Sequence, residues 1–315
     1  MPKLTNVLVL LPLDEEQRAR LEAGAPDARY AYVSKRDVTD GQLAEADAIV
    51  GNLPPERLGA ASRLRLLQLN SAGYDKYADA KGLAAGAALC SASGAYGQAV
   101  SEHLFAMLLA LLKNLPAYHD DQHAHVWGDH GASHTLVGAR VLVLGTGDIG
   151  THFARLAQVM GARVWGVRRH PGEAFGPFEA VRTMEELPGL LGDADVVASF
   201  LPSTPSTRGL VDAAFLAAMR EGSYLVNGGR GDLVDETALV AALEDGHLAG
   251  AALDVTSPEP LQAESPLWDA PNALVTPHVS GGFHLPATLD NIVAIAAENL
   301  RRVEADEEPR NLVRR

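Results

Sequence analysis

Cysteine is almost missing from this chain of 315 residues. Cys90 stands alone, so no intrachain disulfide can form and no disulfide framework holds the fold. A single thiol in the apolar run AALCSAS reads as a small core residue, and such sparse cysteine fits a reducing compartment. Lysine is scarce as well: of 26 basic residues, Lys3, Lys35, Lys76, Lys81 and Lys113 are the only lysines. Asp and Glu number 40, which leaves a formal charge of −14. That excess excludes a surface built to hold nucleic acid or an anionic membrane. An acid-rich, lysine-poor composition fits either adaptation to high salt or the codon bias of a GC-rich genome, the second being the simpler reading. Long apolar runs are missing too. The run from Val7 to Leu13 stops at Asp14, short of a bilayer span, and no small-residue cleavage pattern follows it. It reads as a buried first strand, and the chain is expected to be soluble and cytoplasmic.

What is present is a full complement of apolar residues, 47% of the chain, in an alternating pattern. Strand-like runs at 6–12, 48–52, 64–70 and 87–91 are separated by amphipathic stretches such as DEEQRARLEAGA. An apolar helix is expected over 100–113. A second series then begins with RVLVLGTGDIG, with strands at 163–167, 195–200, 223–227, 249–253 and 273–276 and a last helix over 286–303. Strand and helix in alternation imply parallel sheets covered by helices. Two series imply two doubly wound α/β domains, with a cleft between them as the expected ligand site.

Gly145-Thr146-Gly147-Asp148-Ile149-Gly150 follows the strand pattern VLVL and precedes the helical pattern THFARLAQVMGA. In that setting the glycines allow a tight turn and close backbone approach. The helix start then offers free N–H groups to a pyrophosphate. A carboxylate about twenty residues on would bind the ribose 2′-hydroxyl of NAD. That window holds Val167-Arg168-Arg169-His170-Pro171, and no acid appears before Glu173. Two guanidinium groups suit the 2′-phosphate of NADP, so NADP is favoured and NAD remains possible. Beyond the loop, Arg230 in VNGGRGDLVDETAL, Glu259 in LDVTSPEPL and His278 in LVTPHVSGG each follow a strand. In an open α/β sheet all three could face one crevice. Arginine can grip a carboxylate and polarise a carbonyl, histidine can protonate an alkoxide, and a carboxylate can orient the histidine. Each of these residues taken alone is equally compatible with a surface or capping role.

The long stretches VNGGRGDLVDETALVAALEDGHLAGAALDVTSPEPL (226–261), NALVTPHVSGG (272–282) and LVGARVLVLGTGDIG (136–150) resemble the D-isomer-specific 2-hydroxyacid dehydrogenase family. So do LLQLNSAGYDKYADA and GQAVSEHLFAMLLALL, so the resemblance covers nearly the whole chain. It implies a Rossmann-type cofactor domain, residues 100–284, inserted in a flavodoxin-like substrate domain of residues 1–99 and 285–315. It implies an NAD(P)-dependent reductase turning a small 2-oxo acid into the D-2-hydroxy acid, in the manner of glyoxylate/hydroxypyruvate reductases, as a homodimer. Arg230 would bind substrate carboxylate and carbonyl, His278 would be the acid/base, and Glu259 its partner. Gly145, Gly147, Asp148, Ile149, Gly150, Arg168, Arg169, Pro202, Thr207, Gly228, Asp254 and Gly281 would line the cofactor, with Asp254 towards the nicotinamide. Main-chain N–H groups of Ser71, Ala72 and Gly73 would hold the substrate carboxylate. The chain departs from the family at Arg168, where an acid is frequent, and in SASGAYG, where Tyr96 is expected to shape the pocket. Glutamate at 259 speaks against formate as substrate, and no regulatory or partner-docking extension is evident. A cofactor-sensing, corepressor-like protein on the same scaffold is the rival reading.

One feature stands apart. HDDQHAHVWGDHGASH (119–134) carries five of the chain's 11 histidines, with Asp120, Asp121 and Asp129. His119 and His123 have the i, i+4 spacing of a helical metal site. Neither the resemblance nor hydride chemistry requires a metal, and none is expected. A polar rim, with Gln122 and Trp127 matching residues of glyoxylate- and hydroxypyruvate-using relatives, is the plainer reading.

Overall fold

The computed structural model describes residues 3–314. It divides into two compact units, residues 1–96 with 283–315, and residues 97–282. In the first unit the chain runs β1 (Asn6–Val9), α1 (Glu15–Glu22), β2 (Arg29–Tyr32), α2 (Asp40–Glu45), β3 (Ala48–Val50), β4 (Leu66–Gln68), α3 (Asp75–Ala78) and β5 (Ala88–Cys90). The second unit holds α4 (Gly97–Leu112), α5 (Leu115–Ala124), β6 (Arg140–Leu144), α6 (Asp148–Val159), β7 (Arg163–Arg168) and β8 (Ala180–Thr183). It continues through β9 (Val196–Ser199), α7 (Ala213–Ala218), β10 (Ser223–Asn227), α8 (Glu236–Glu244), β11 (Leu248–Leu253) and β12 (Ala273–Val275). The last helix, α9 (Pro286–Glu304), returns to the first unit.

Both sheets are wholly parallel. The five-stranded sheet has the order β2-β1-β3-β4-β5 and the seven-stranded sheet β12-β11-β10-β9-β6-β7-β8. In each, the first strand in sequence is internal and the order reverses beside it. The first order is the flavodoxin-like one, and the second is the dinucleotide-binding order with one strand added at its edge. The central strands β3, β4, β9 and β10 are buried at every position because helices cover both faces, which is why they read as unbroken apolar runs. β2 (RYAY) and β8 (AVRT) are edge strands with residues left partly exposed, so they lack that signal and the sequence pattern passes over them. Among the described residues no helix is long and apolar enough to cross a membrane.

The return of α9 to the first sheet buries an apolar face, from Leu289 to Val303, and a polar contact fixes its seating. Asn299 and Gln68 are both fully buried. Asn299 Nδ2 donates to Gln68 Oε1 at 2.6 Å and to the Arg310 carbonyl at 2.9 Å, and the Arg310 N–H donates back to Asn299 Oδ1 at 2.7 Å. Gln68 Nε2 in turn donates to the carbonyls of Leu69 and Ser91. Losing one partner would leave another buried and unsatisfied, so the carboxamides fix helix, tail and strand together. Gly24 completes the packing, since a Cβ there would lie 2.3 Å from the Ala297 carbonyl oxygen in α9.

Burial in the first unit also has an alkaline consequence. It pushes the Cys90 thiol and the phenols of Tyr30, Tyr77 and Tyr96 up to about 12, and raises that of Tyr32 as well. In the second unit burial raises Tyr224. Because the folded pKa values lie above the unfolded ones, the stability is complete below the unfolded values. It is lost as pH climbs from the ordinary thiol and phenol range towards about 12. A spectroscopic titration should therefore show the phenolate signal of these tyrosines rising together with loss of circular dichroism. Ionisation of any of these five buried tyrosines near the ordinary tyrosine value in a still-folded protein would contradict the burial argument.

Candidate active site

The second unit sends its loops out from the carboxyl ends of parallel strands. The first leaves β6 at Gly145, whose φ of +95° is the left-handed conformation that favours glycine. Gly150, in the first turn of α6, lies where a Cβ would meet the Gly145 carbonyl oxygen at 2.0 Å. Gly147 caps α6 and has open space where a side chain would stand. Turn, close packing and open helix start are what a dinucleotide pyrophosphate needs, so these residues fit that group. Asp148 opens the helix, 3.3 Å from His152 Nδ1 through Oδ1, with Oδ2 buried and without a partner among the described residues. Ile149 follows it in the same turn.

Arg168 closes β7 and folds back on its own loop. Nε donates to the His170 carbonyl at 3.0 Å, and the guanidinium lies 5.6 Å from the centre of the Phe175 ring. Arg169 is exposed. After β9, Thr207 Oγ1 donates to the Pro202 carbonyl at 2.6 Å and accepts from the Thr204 N–H at 2.8 Å, so this hydroxyl shapes its loop from within. Gly228 donates to the Ser199 carbonyl, and its missing side chain leaves room for Phe200 and Leu104.

Arg230 lies in the turn after β10 between two glycines with no room for a side chain. A Cβ on Gly229 would meet the Leu201 carbonyl oxygen at 2.5 Å, and one on Gly231 the Thr256 carbonyl oxygen at 1.9 Å. The turn thus rests directly on the loop after β9 and on the loop after β11 that carries Glu259. Asn227, buried at the end of β10, donates to the Arg230 carbonyl at 2.9 Å and accepts the Gly229 N–H. The Arg230 guanidinium donates to the Gly229 carbonyl at 2.8 Å.

His278 Nδ1 stands 2.9 Å and 3.1 Å from the two carboxylate oxygens of Glu259. Both partners are acceptors, so the proton belongs on Nδ1 and Nε2 is left for a ligand. Both side chains are well exposed, at 47% and 41%. His278 has φ +51°, an unfavourable conformation for a residue with a side chain. Asp254 explains why it persists. The His278 N–H donates to the Asp254 carbonyl at 2.8 Å. The Asp254 carboxylate, 1% exposed, accepts from Thr276 Oγ1 at 2.6 Å, from the N–H groups of Val279 and Ser280 at 3.0 and 3.1 Å, and from Ser280 Oγ. Because the Thr276 hydroxyl proton goes to Asp254, His103 Nε2, 2.9 Å from Thr276 Oγ1, must be the donor there. Asp254 therefore holds the loop on both sides of His278, and its carboxylate is taken up by protein donors. Gly281 follows in the same loop, partly buried. The sequence reading missed Thr276, Ser280 and His103. A hydroxyl two residues from His278 was the available signal.

In the first unit, Ser71, Ala72 and Gly73 follow β4. Asn52 and Asn70 brace them by exchanging bonds, the Asn52 N–H donating to Asn70 Oδ1 at 2.7 Å and the Asn70 N–H to Asn52 Oδ1 at 3.0 Å. Asn52 Nδ2 also donates to Ser71 Oγ, which donates to the Gly73 carbonyl at 2.6 Å. The buried Tyr96 hydroxyl donates to the Asn70 carbonyl, so Tyr96 acts on this loop from beneath. The main-chain N–H groups of Ser71, Ala72 and Gly73 meet no acceptor among the described residues.

The histidine stretch is helical only in its first part, α5, which buries none of its residues. His119 and His123 meet edge to face with ring centres 4.3 Å apart, and His130 pairs with Asp121 at 2.8 Å. Gln122 and Trp127 are exposed. Among the described residues no three His, Cys, Asp or Glu side chains are grouped so as to hold a metal ion. A cavity of about 310 Å³ lies at the amino ends of β6, β9 and β10, lined by His134, Asp195, Arg220 and Tyr224. It is at the far end of the sheet from the loops described above.

Residues 105–280 match the family model of the D-isomer specific 2-hydroxyacid dehydrogenase NAD binding domain. The chain is 32% identical over 286 residues to a D-3-phosphoglycerate dehydrogenase of Mycobacterium tuberculosis, an alignment covering 89% of this chain and 53% of that protein. It thus spans about half the length of that curated relative. A D-isomer specific 2-hydroxyacid dehydrogenase family protein from Aeromonas salmonicida superposes with a TM-score of 0.87 at 31% identity, covering 99% of both chains. A D-isomer specific 2-hydroxyacid dehydrogenase from Xanthobacter autotrophicus, in complex with NADPH and MES, superposes with a TM-score of 0.85 at 30% identity, covering 99% of this chain and 98% of that one.

The Asp254 network makes a direct prediction. Asp254→Ala leaves four donors without their acceptor and should destabilise the protein by roughly 3 kcal/mol in denaturant unfolding. A change under about 0.5 kcal/mol, the usual size for a surface substitution, would show that the loop around His278 is held by other means.

Proposed function

Because the chain belongs to the D-isomer specific 2-hydroxyacid dehydrogenase family, we propose that it reduces a small 2-oxo acid to the D-2-hydroxy acid with a nicotinamide dinucleotide. The observation that carries this reading is the pairing of His278 Nδ1 with Glu259, which leaves Nε2 to face a reacting oxygen. The dinucleotide, when bound, supplies the hydride. His278 gives its Nε2 proton to the oxygen of the carbonyl being reduced, and Glu259 holds the imidazolium in position. Arg230 binds the substrate carboxylate and polarises the adjoining carbonyl. Ser71, Ala72 and Gly73 offer main-chain N–H groups to that carboxylate. Candidate substrates are glyoxylate, hydroxypyruvate and branched 2-oxo acids.

Gly145, Gly147, Asp148, Ile149 and Gly150 cradle the pyrophosphate through their backbone. Pro202, Thr207, Gly228, Asp254 and Gly281 border the nicotinamide half. NADP is the favoured dinucleotide. Arg168 and Arg169 come at the end of β7, where two guanidinium groups suit a 2′-phosphate, and no carboxylate precedes Glu173 to compete for it. The relative from Xanthobacter autotrophicus holds NADPH, which supports the same choice. The proposal includes a homodimer acting in the cytoplasm, with residues 100–284 serving the cofactor and residues 1–99 and 285–315 the substrate.

Oxidation of NADPH and NADH followed by absorbance against glyoxylate, hydroxypyruvate, pyruvate, phenylpyruvate and 2-oxoisocaproate tests the reading. Dinucleotide binding without turnover on any of them would favour a sensing role. Arg230→Ala should lower kcat/KM by roughly 100-fold or more while dinucleotide affinity stays within a few-fold, as expected for loss of a bidentate charged contact to substrate. Unchanged turnover would remove Arg230 from the site. Replacing Arg168 and Arg169 together by Gln should weaken NADPH at least tenfold more than NADH, measured as Kd. Equal weakening would overturn the NADP preference.

A further inference from the structure

Asp232 lies two residues past Arg230 and was not singled out by its sequence pattern. Its carboxylate leaves its own turn for the loop after β9. Ser203 Oγ donates to Asp232 Oδ2 at 2.5 Å. Arg208 Nε reaches Asp232 Oδ2 at 3.3 Å and Ser203 Oγ at 3.1 Å, so one N–H is shared between carboxylate and hydroxyl. Asp232 Oδ1 is buried without a partner among the described residues, which leaves Arg208 as the cation that compensates this charge. The backbones meet as well. The Gly209 N–H donates to the Asp232 carbonyl at 2.9 Å, the Val211 N–H to the Leu233 carbonyl at 2.9 Å, and the Asp235 N–H to the Val211 carbonyl at 3.0 Å.

The loop from 201 to 209 is therefore fixed to the Arg230 turn at three places. At its start the Leu201 carbonyl presses on Gly229. At its end Gly209 and Val211 pair with 232–235. In its middle, where Pro202 and Thr207 are proposed to border the dinucleotide, the side-chain triad Ser203–Asp232–Arg208 ties loop to turn. We propose that Asp232 is a positioning residue that ties the dinucleotide-bordering loop to the turn carrying Arg230, so that cofactor binding and substrate-carboxylate binding depend on one shared contact. The inference rests on the reductase reading for its substrate half only.

The test is a double-mutant cycle of Asp232→Asn and Arg208→Gln, with dinucleotide Kd followed by NADPH fluorescence and kcat and KM measured on whichever 2-oxo acid is turned over. Each single variant should raise the dinucleotide Kd several-fold and lower kcat/KM about tenfold. The double variant should be no worse than the weaker single one, because both remove the same tie. Asp232→Glu should recover part of the loss. Additive effects, or changes within twofold for Asp232→Asn, would overturn the proposal, as would a lowered melting temperature with both Kd and kcat/KM unchanged. Should Asp232→Asn fail to fold, Ser203→Ala removes one hydroxyl from the same contact, and an unchanged Kd there overturns the inference equally. If the wild type binds NADPH yet reduces no 2-oxo acid, the reductase reading fails while the Kd cycle still decides the role of Asp232.

Discussion

The tightest constraint in the second unit is backbone lying on backbone. The Gly231 backbone sits so close to Thr256 that even a methyl group would overlap the Thr256 carbonyl, and Gly229 stands almost as close to Leu201. Here the contact arises because successive loops emerge from the same end of the sheet, as parallel strands require. The registers of β9, β10 and β11 bring Ser199, Asn227 and Leu253 level at their carboxyl ends, so the three loops start from one line. Glycine on both sides of Arg230 then lets them close up. The consequence is a catalytic candidate on a loop packed backbone to backbone against the loops on either side of it. That suits a site in which small displacements cost much rate.

Electrostatics divides the acids of this region into two kinds. Asp254 is buried, and its carboxylate is taken up by donors from the loop that it shapes. Glu259 is half-exposed and touches one histidine and one main-chain N–H. The first kind holds a loop in shape against the unfavourable φ of His278, and the second is open to follow a proton. The site thus separates the groups that maintain its shape from the groups that could act. Interchanging the two would either fix the histidine too firmly or leave its loop without support.

Much of the fold is legible in the sequence because parallel strands buried on both faces leave an unmistakable apolar signature. SYLVN at 223–227 is a strand over the same residues in both readings. RYAY and AVRT escape because edge strands keep exposed positions and need no apolar run. Of the site, the residues with chemistry of their own are legible: Arg230, Glu259 and His278 advertise themselves by type and by following strands. Those that act on other residues are not. Asn227 and Asn70 are ordinary carboxamides until the structure shows whose backbone they hold. Ser203, Arg208 and Asp232 lie up to 29 positions apart, and no local pattern joins them. Asp254 is legible as an acid near the site, but the direction of its carboxylate is fixed by donors more than twenty residues further on.

The histidine stretch shows the same limit from the other side, where a strong local pattern has a modest local cause. His123 Nδ1 lies 2.9 Å from the His119 carbonyl and so donates to it, the contact that a turn of helix offers to any donor at that spacing. His130 bonds Asp121 and packs against Tyr118, and Asn114 Nδ2 donates to the His130 and Ala132 carbonyls. Lys113 Nζ donates to the His134 carbonyl, while the His134 N–H returns to Leu112 at the end of α4. These short-range bonds give shape to a segment that buries almost nothing of its own. An imidazole pair at i and i+4 serves that purpose as readily as it would serve a cation. The spacing alone could not separate the two, because a helix presents the carbonyl and the second ligand from the same place.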